Sequence, residues 1–343
     1  MKTIILLTDY QNRFGSKYYD KPYRSGFNKS MLKDYFNHHG YEPVFRRFAS
    51  IDFRREMYAG ELVLYTSSED HGYHYKSFIE DIVLGLELQG ARVVPPFKYL
   101  RANNNKVLME ILRDQICQDN LLKAKSYGTL EELRDDIPFI HFPVVIKRAD
   151  GAKGSGVFLA KSQNELTKIT KKLSRTRHVN SELWDLGRGM KHKGYQRESL
   201  HRAKFIVQDY IPGLQNDWKV LIYDTKYYVL YRANRTNDFR ASGSGSFKFE
   251  KEPPLKILDF SEHIFNSFDL PNMSIDVAMS DSSVYLLEFQ AVHFGTYALE
   301  SSTFYFTHSR NRWDRNDATS VVEQEYVNSI CNYLSRNSGK ITV

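Results

Sequence analysis

Over its first hundred residues the chain alternates between two hydrophobic rhythms. Residues 4–7 form a continuous apolar run of strand length, and residues 43–48, 61–66 and 91–94 are strand-like as well. Between these runs the apolar period lengthens to that of a helix. Residues 26–39 read as a helix ending near Gly40. Residues 76–88 place Phe78, Ile79, Ile82, Val83 and Leu86 on one helical face, with Gly90 behind them as a cap. Strands alternating with helices predict a small, mostly parallel α/β sheet over residues 1–100.

Beyond residue 100 the pattern changes. Residues 104–124 predict a helix through Val107, Leu108, Ile111, Leu112 and Ile116. Residues 143–160 read as strand, glycine loop, strand, and 166–173 as a short helix. Residues 205–211 are a strand stopped by Pro212-Gly213. Residues 219–223 and 227–233 form a hairpin around 224–226, and 274–279 and 284–289 form another turning at 281–283. Helices are expected at 255–268 and 319–335. The stretch 175–203 is polar, basic and poorly periodic, and is expected to be an inserted loop or lid.

Composition narrows the class. The 343 residues are 41% hydrophobic, 26% charged and 14% aromatic, with 23 Tyr and 22 Phe. This excludes a disordered or collagen-like chain and suits two or three packed subdomains. No apolar run reaches the roughly 18–20 residues of a membrane span. The N-terminal apolar run is too short for a signal peptide. The only cysteines are Cys117 and Cys331, which excludes a disulfide framework and makes the cytoplasm the default compartment. The net charge is +7, and residues 168–204 carry eleven Lys/Arg against three acids, a surplus of eight. That segment suits an anionic partner, such as a phosphorylated metabolite, a nucleotide sugar or an acidic polymer. It is equally readable as a solvated basic loop.

Three constellations carry candidate chemistry. The strand ending in Lys147 is followed by Gly151-Ala152-Lys153-Gly154-Ser155-Gly156. Glycines let a backbone approach phosphate and turn its N–H groups toward it, and a lysine adds a point charge. The same run also suits a plain hairpin tip, and it is neither a Walker A motif nor a dinucleotide fingerprint. Near the C-terminus, Glu288 and Gln290 share a strand face, and the hairpin brings Asp276 alongside them. Three oxygen donors among apolar neighbours suit a hard cation, or else a solvent-facing stripe. Between these groups lie Arg232 and Arg240, whose planar forks match phosphoryl or carboxyl oxygens. In the leading region, residues 66–76 sit between a strand end and a helix. They suit either an acceptor site using Lys76 or a capped helix start.

Taken in order, Lys106, Val145-Ile146-Lys147, the glycine loop, Val207-Gln208-Asp209-Tyr210-Ile211, Asp217-Trp218-Lys219, Arg232, Asp238-Phe239-Arg240, and Asp276 with Glu288 and Gln290 form an ordered set. The set resembles the ATP-grasp superfamily, closest to its glutathione synthetase and ribosomal-protein glutamate ligase branch, over residues of roughly 95–300. The resemblance implies a mixed α/β and α+β fold. A small parallel α/β domain (1–100) precedes two α+β subdomains that clamp ATP, 101–206 with the basic insertion and 207–343 with the metal site. It implies that Lys106, Lys147, Lys153, Gly154, Ser155 and Gly156 hold the ATP phosphates. Gln208, Asp209, Tyr210 and Ile211 would line the adenine, and Asp217 would lie near the ribose. It further implies that Arg232, Arg240 and Lys147 act on the transferring phosphoryl group. Asp276, Glu288 and Gln290 would hold one or two Mg²⁺ ions, with Mn²⁺ as the alternative.

The chain departs from the family pattern at several points. Gln290 stands where Asn is usual, Lys219 replaces an arginine, Ser242 replaces an Asn, and Ala291-Val292-His293 replaces a small-residue Pro-Gly segment. The basic stretch 175–203 is also longer than usual. The leading expectation is a carboxylate–amine ligase that forms an amide through an acylphosphate. Its partners would be a small or polymer-linked acid and an amine such as an amino acid. A homo-oligomer is consistent with the branch, and neither a membrane nor a nucleic acid is an expected partner. Two rivals stand beside this reading. One is a kinase on the same scaffold acting on a polyol or sugar phosphate, and the other is a non-catalytic ATP- or nucleic-acid-binding protein.

Overall fold

The computed structural model describes residues 1–17, 25–68, 70–117, 122–151, 156–176, 179–235, 238–240, 246–280 and 283–337. They fall into two compact units. One joins Met1–Asn103 to Leu214–Val343, and the other is Asn104–Gly213.

The first unit contains the parallel sheet that the N-terminal rhythm predicts. Its strands run in the order Tyr41–Arg47, Lys2–Thr8, Leu62–Tyr65, Arg92–Val94. Strand Lys2–Thr8 is central, with Ile5 opposite Val44 on one side and Val63 on the other. A central parallel strand is covered on both faces, so its residues are apolar without alternation. Ile4 and Leu6 pack with Leu32 and Phe36 of helix Lys29–His38 and with Val327, Ile330 and Leu334 of helix Val322–Arg336. Ile5 and Leu7 pack on the other face with Ile79, Val83 and Leu86 of helix His74–Leu88. The last helix of the chain therefore completes the core of the first sheet, which explains why both ends of the sequence share one unit.

The same unit holds a seven-stranded antiparallel sheet. Its path runs Ser283–Gln290, Asn272–Ser280, Asn216–Tyr223, Lys226–Ala233, Tyr305–Ser309, Arg312–Asn316, with Phe247–Phe249 also paired to Lys226–Ala233. One face packs toward helix Leu255–Phe268, where Phe268 meets Phe289 with ring centroids 4.5 Å apart. On the other face Leu221, Tyr223, Tyr228 and Leu230 cluster with Ala298, Leu299 and Val322.

The second unit is a four-stranded antiparallel sheet, ordered Ala124–Tyr127, Phe205–Asp209, Val144–Arg148, Val157–Ala160. Val144, Ile146, Phe205 and Val207 form its core with Leu130, Leu133 and Leu166 from two helices. Those helices begin with side-chain caps written in the sequence. Thr129 and Glu132 form a capping box, and Ser162 accepts from the Glu165 amide.

The structure corrects two expectations. The helix predicted over 104–124 spans only Lys106–Ile116, because Cys117 leaves helical geometry and Ala124–Tyr127 is a strand paired to Phe205–Asp209. The stretch 175–203, read as loop, contains the helix Val179–Lys191. The expected turn at 281–283 lies partly outside the described residues, as do Ala152, Lys153, Gly154, Ser155 and Ser242.

Candidate functional site

The candidate residues divide between the units. In the first, all but Arg240 gather on one face of one sheet. Asp217 and Lys219 are two apart on strand Asn216–Tyr223 and so point the same way. Arg232 lies opposite Asp217, Asp276 lies opposite Lys219, and Glu288 lies opposite Asp276. Gln290 follows two residues on, opposite Ser274. A β-bulge after Asp276 bends the Glu288 strand at this level. The face is thus apolar at the end holding Leu221, Tyr223, Tyr228 and Leu230, and charged at the end holding Asp217, Lys219, Arg232, Asp276 and Glu288.

Arg232 is the hub. Its Nε donates to Asp217 Oδ1 at 2.5 Å and one terminal nitrogen to Asp217 Oδ2 at 2.8 Å. That nitrogen also lies 2.8 Å from Asp276 Oδ2, and Lys219 Nζ is 3.5 Å from Asp276 Oδ1. Two cations therefore meet two carboxylates in a largely buried row. Burial alone would raise the Asp276 carboxyl, but Arg232 and Lys219 overcome this and hold it below the usual carboxylate range. Burial, opposed by Arg232 and reinforced by Asp276, pushes Asp217 above that range. Burial would lower Arg232, and the two carboxylates instead raise it above its ordinary value.

The oxygen donors of this row suit a hard divalent cation. Among the described residues the buried Asp276 Oδ1 has no closer partner than Lys219 Nζ at 3.5 Å, and Glu288 faces Asp276 across the strand pair. Among the described residues no cluster of three or more His, Cys, Asp or Glu side chains could hold a metal. A third protein ligand here would therefore be the Gln290 amide oxygen. Arg240 is set apart from the row. It forks onto Asp238 at 2.5–3.0 Å, and this bond holds Asp238 below its ordinary range and Arg240 above its own.

In the second unit, Val145 and Lys147 face away from the Val144–Ile146 core, as do Ile206 and Gln208 on the neighbouring strand. Helix Lys106–Ile116 packs against strand Phe205–Asp209. Its start is held close to Lys147, because the Lys106 amide donates to Ala149 O at 2.8 Å. Lys106 Nζ donates to Gly151 O at 2.9 Å, at the entry to the glycine loop. Gly156, at its exit, accepts from the Arg148 amide, and a Cβ there would sit 3.0 Å from the Arg148 side chain. Gln208 is 3% exposed, sits opposite Val145, and its buried Nε2 has no hydrogen-bond partner among the described residues. The strand ends at Asp209, and Tyr210 and Ile211 follow it outside regular structure before the turn at Gly213.

Sequence reading missed the roles of Lys219 and Asp238, which compensate Asp276 and Arg240. The signal for Lys219 was its i+2 spacing from Asp217. In the leading region, Asp70 accepts from the Tyr75 and Lys76 amides, as a helix cap does. Lys76 is buried 3.1 Å from Glu80, so its charge is compensated within the fold.

Residues 102–293 match the family model of the RimK-like ATP-grasp domain. No curated protein matches the chain. Among solved structures, D-cycloserine synthetase DcsG aligns over 97% of this chain and 99% of its own at 11% identity, with a TM-score of 0.57. The ADP complex of PurK, an N5-carboxyaminoimidazole ribonucleotide synthetase, aligns over 96% and 77% at 12% identity, TM-score 0.54. Macrocyclase MdnC of Microcystis aeruginosa MRC, bound with precursor peptide MdnA, aligns over 96% and 99% at 13% identity, TM-score 0.52. At these identities the likeness is one of fold: a mixed α/β chain with an ATP-grasp architecture.

Proposed function

This chain belongs to the RimK-like ATP-grasp family, and from that premise we propose that it is an ATP-dependent carboxylate–amine ligase. One observation carries the reading. The matched span 102–293 runs from just before Lys106 to just past Gln290, and so takes in every candidate residue of both units. The solved structures of similar fold include a D-cycloserine synthetase and a macrocyclase bound with its precursor peptide, which supports an acid and an amine as substrates.

In this reading a substrate carboxylate attacks the γ-phosphorus of ATP, ADP leaves, and an acylphosphate forms. An amine then attacks the acyl carbon, loses its proton, and phosphate departs. The chain contributes position and charge. Lys147 and Lys106 neutralise phosphate oxygens, and the loop through Lys153, Gly154, Ser155 and Gly156 offers backbone N–H groups to them. Gln208 to Ile211 supply polar backbone and the Gln208 amide to the base. Arg232, its fork held by Asp217 and Asp276, would give the phosphoryl group positive charge, and Arg240 would do so only on release from Asp238. Asp217, fully engaged by Arg232, is better suited to holding that guanidinium than to contacting a ribose. Asp276, Glu288 and Gln290 would hold Mg²⁺, which supplies neutralisation of phosphate charge.

The test is trapping. The protein is incubated with Mg-ATP, hydroxylamine and a cytoplasmic small-molecule extract, and hydroxamates are sought by mass spectrometry. A hydroxamate formed only with ATP is the expected result, and its mass names the acid. A stable phosphorylated metabolite without hydroxamate would overturn the ligase reading in favour of a kinase.

A further inference from the structure

The helix Val179–Lys191 is turned inside out relative to an ordinary surface helix. Its two acids are engaged by its own surroundings. Glu182 meets Arg175 at 3.0 Å, and Asp185 accepts from Tyr195 at 2.6 Å and pairs with Arg197 at 3.2 Å. These contacts fix which face turns outward. Leu183, Leu186 and Met190, at i, i+3 and i+7, form one stripe and are 61%, 42% and 83% exposed. Trp184, 75% exposed, stands beside that stripe on a second row with Arg188 and Lys191 at i+4 and i+7. Arg188, Lys191 and, just past the helix, Lys193 are exposed and make no ion pair with a described residue. An amphipathic helix normally buries its apolar stripe and wets its charges. Here the paired acids face inward, and the leucines, tryptophan and free cations face out.

The surface also limits what can cover it. A lone helix is convex, so its occupant must yield around it. A second copy would bring up another segment with the same surplus of eight positive charges. An apolar stripe bordered by tryptophan and cations matches the layering of an anionic bilayer, with an acyl boundary beneath negative headgroups. We propose that helix Val179–Lys191 docks this protein on an anionic membrane surface. Leu183, Leu186, Met190 and Trp184 enter the acyl boundary, and Arg188, Lys191 and Lys193 lie among the headgroups. No described helix is long and apolar enough to cross a membrane, and docking in the plane of the surface needs none. The proposal stands independently of the ligase reading.

The experiment is flotation of the full chain with phosphatidylcholine vesicles, with and without phosphatidylserine. The expected result is at least roughly tenfold stronger binding to the phosphatidylserine vesicles, weakening as salt screens the headgroups. The double variant Leu183→Ser/Leu186→Ser alters only exposed side chains, and should lose flotation while retaining its circular dichroism and its ATP turnover in solution. Arg188→Glu/Lys191→Glu should lose the preference for phosphatidylserine. Failure of the wild type to float would overturn the proposal. So would undiminished binding by the leucine variant, or a stripe that instead mediates dimerisation or capture of an acidic peptide.

Discussion

Arg232 lies directly across the strand pair from Asp217 and grips both of its carboxylate oxygens, while the same guanidinium reaches Asp276 on a different strand. One side chain thereby ties three strands of the sheet at its charged end. Removing it would leave two buried carboxylates facing Lys219 alone. Arg232→Ala is therefore expected to cost about 3–5 kcal/mol of stability, read as a shift in denaturant midpoint. Arg232→Lys keeps the charge but loses the fork, so it should recover part of the stability and little of the activity. A neutral effect of the alanine change on stability would refute the compensating role.

Gln208 makes the complementary case. Its Nε2 is buried without a partner among the described residues, so their packing gains no hydrogen bond from it. Gln208→Leu, close in volume, should leave stability unchanged or slightly higher. If the amide serves a nucleotide base, ATP affinity should fall roughly five- to twelvefold, the equivalent of about 1–1.5 kcal/mol for one hydrogen bond. Calorimetric titration with ATP separates the two effects. A less stable variant with unchanged affinity would mean the amide is structural.

Much of this architecture was legible in the sequence because short-range rules decide it. The run at residues 4–7 reads as a buried strand, and the short helix expected at 166–173 lies within Gln163–Leu173, whereas the helix Leu130–Asp136 was not foreseen. The tight turn at 224–226 sets Asp217 and Arg232 in register. What stayed hidden depends on partners far away in sequence. Nothing local in Val322–Arg336 says that its apolar face completes the core around Ile4 and Leu6. The hairpin Tyr305–Ser309 and Arg312–Asn316 is missed because His308, Arg312 and Asp314 break its alternation, and its turn relies on positive φ at Arg310 and Asn311. Arg240 looked like a companion to Arg232, yet it is paired with its own neighbour Asp238.

Lys147 separates binding chemistry from folding. It is the last residue but one of strand Val144–Arg148, on the face away from the core. Lys147→Ala should abolish ATP turnover while the thermal midpoint moves by only a few degrees. The assay is phosphate release beside a melting curve. Undiminished release would remove this lysine from the phosphate site.

The leading sheet offers a pH test away from the candidate chemistry. Glu56 accepts from Arg46 at 2.6 and 3.1 Å and from the Tyr58 hydroxyl at 2.6 Å, and these bonds, Arg46 first, hold its carboxyl down to about 2. A depressed carboxyl favours the fold above its unfolded value of about 4.3 and loses that contribution as pH falls toward 2. The stability gap between wild type and Glu56→Gln should thus be constant near neutrality and close between about pH 4 and 2. A gap that persists at the acid end would show that packing, not charge, is what the substitution removes.

The last prediction concerns the oxygen donors. Glu288 faces Asp276 across the strand pair, and Asp276 is already compensated by Arg232 and Lys219. Glu288 adds a second carboxylate to the row beside Asp276, and a divalent ion would answer that added charge. Glu288→Ala should raise the Mg²⁺ concentration needed for half-maximal ATP turnover by roughly tenfold or more, as loss of one charged ligand does. Glu288→Gln, which keeps an oxygen but not the charge, should fall between. Asp276→Asn should cost stability as well, because it strips Arg232 and Lys219 of their shared partner. Titration of turnover with Mg²⁺ across the three variants gives the ranking. An Mg²⁺ curve that does not move with Glu288→Ala would leave this row a structural salt-bridge network rather than a metal site.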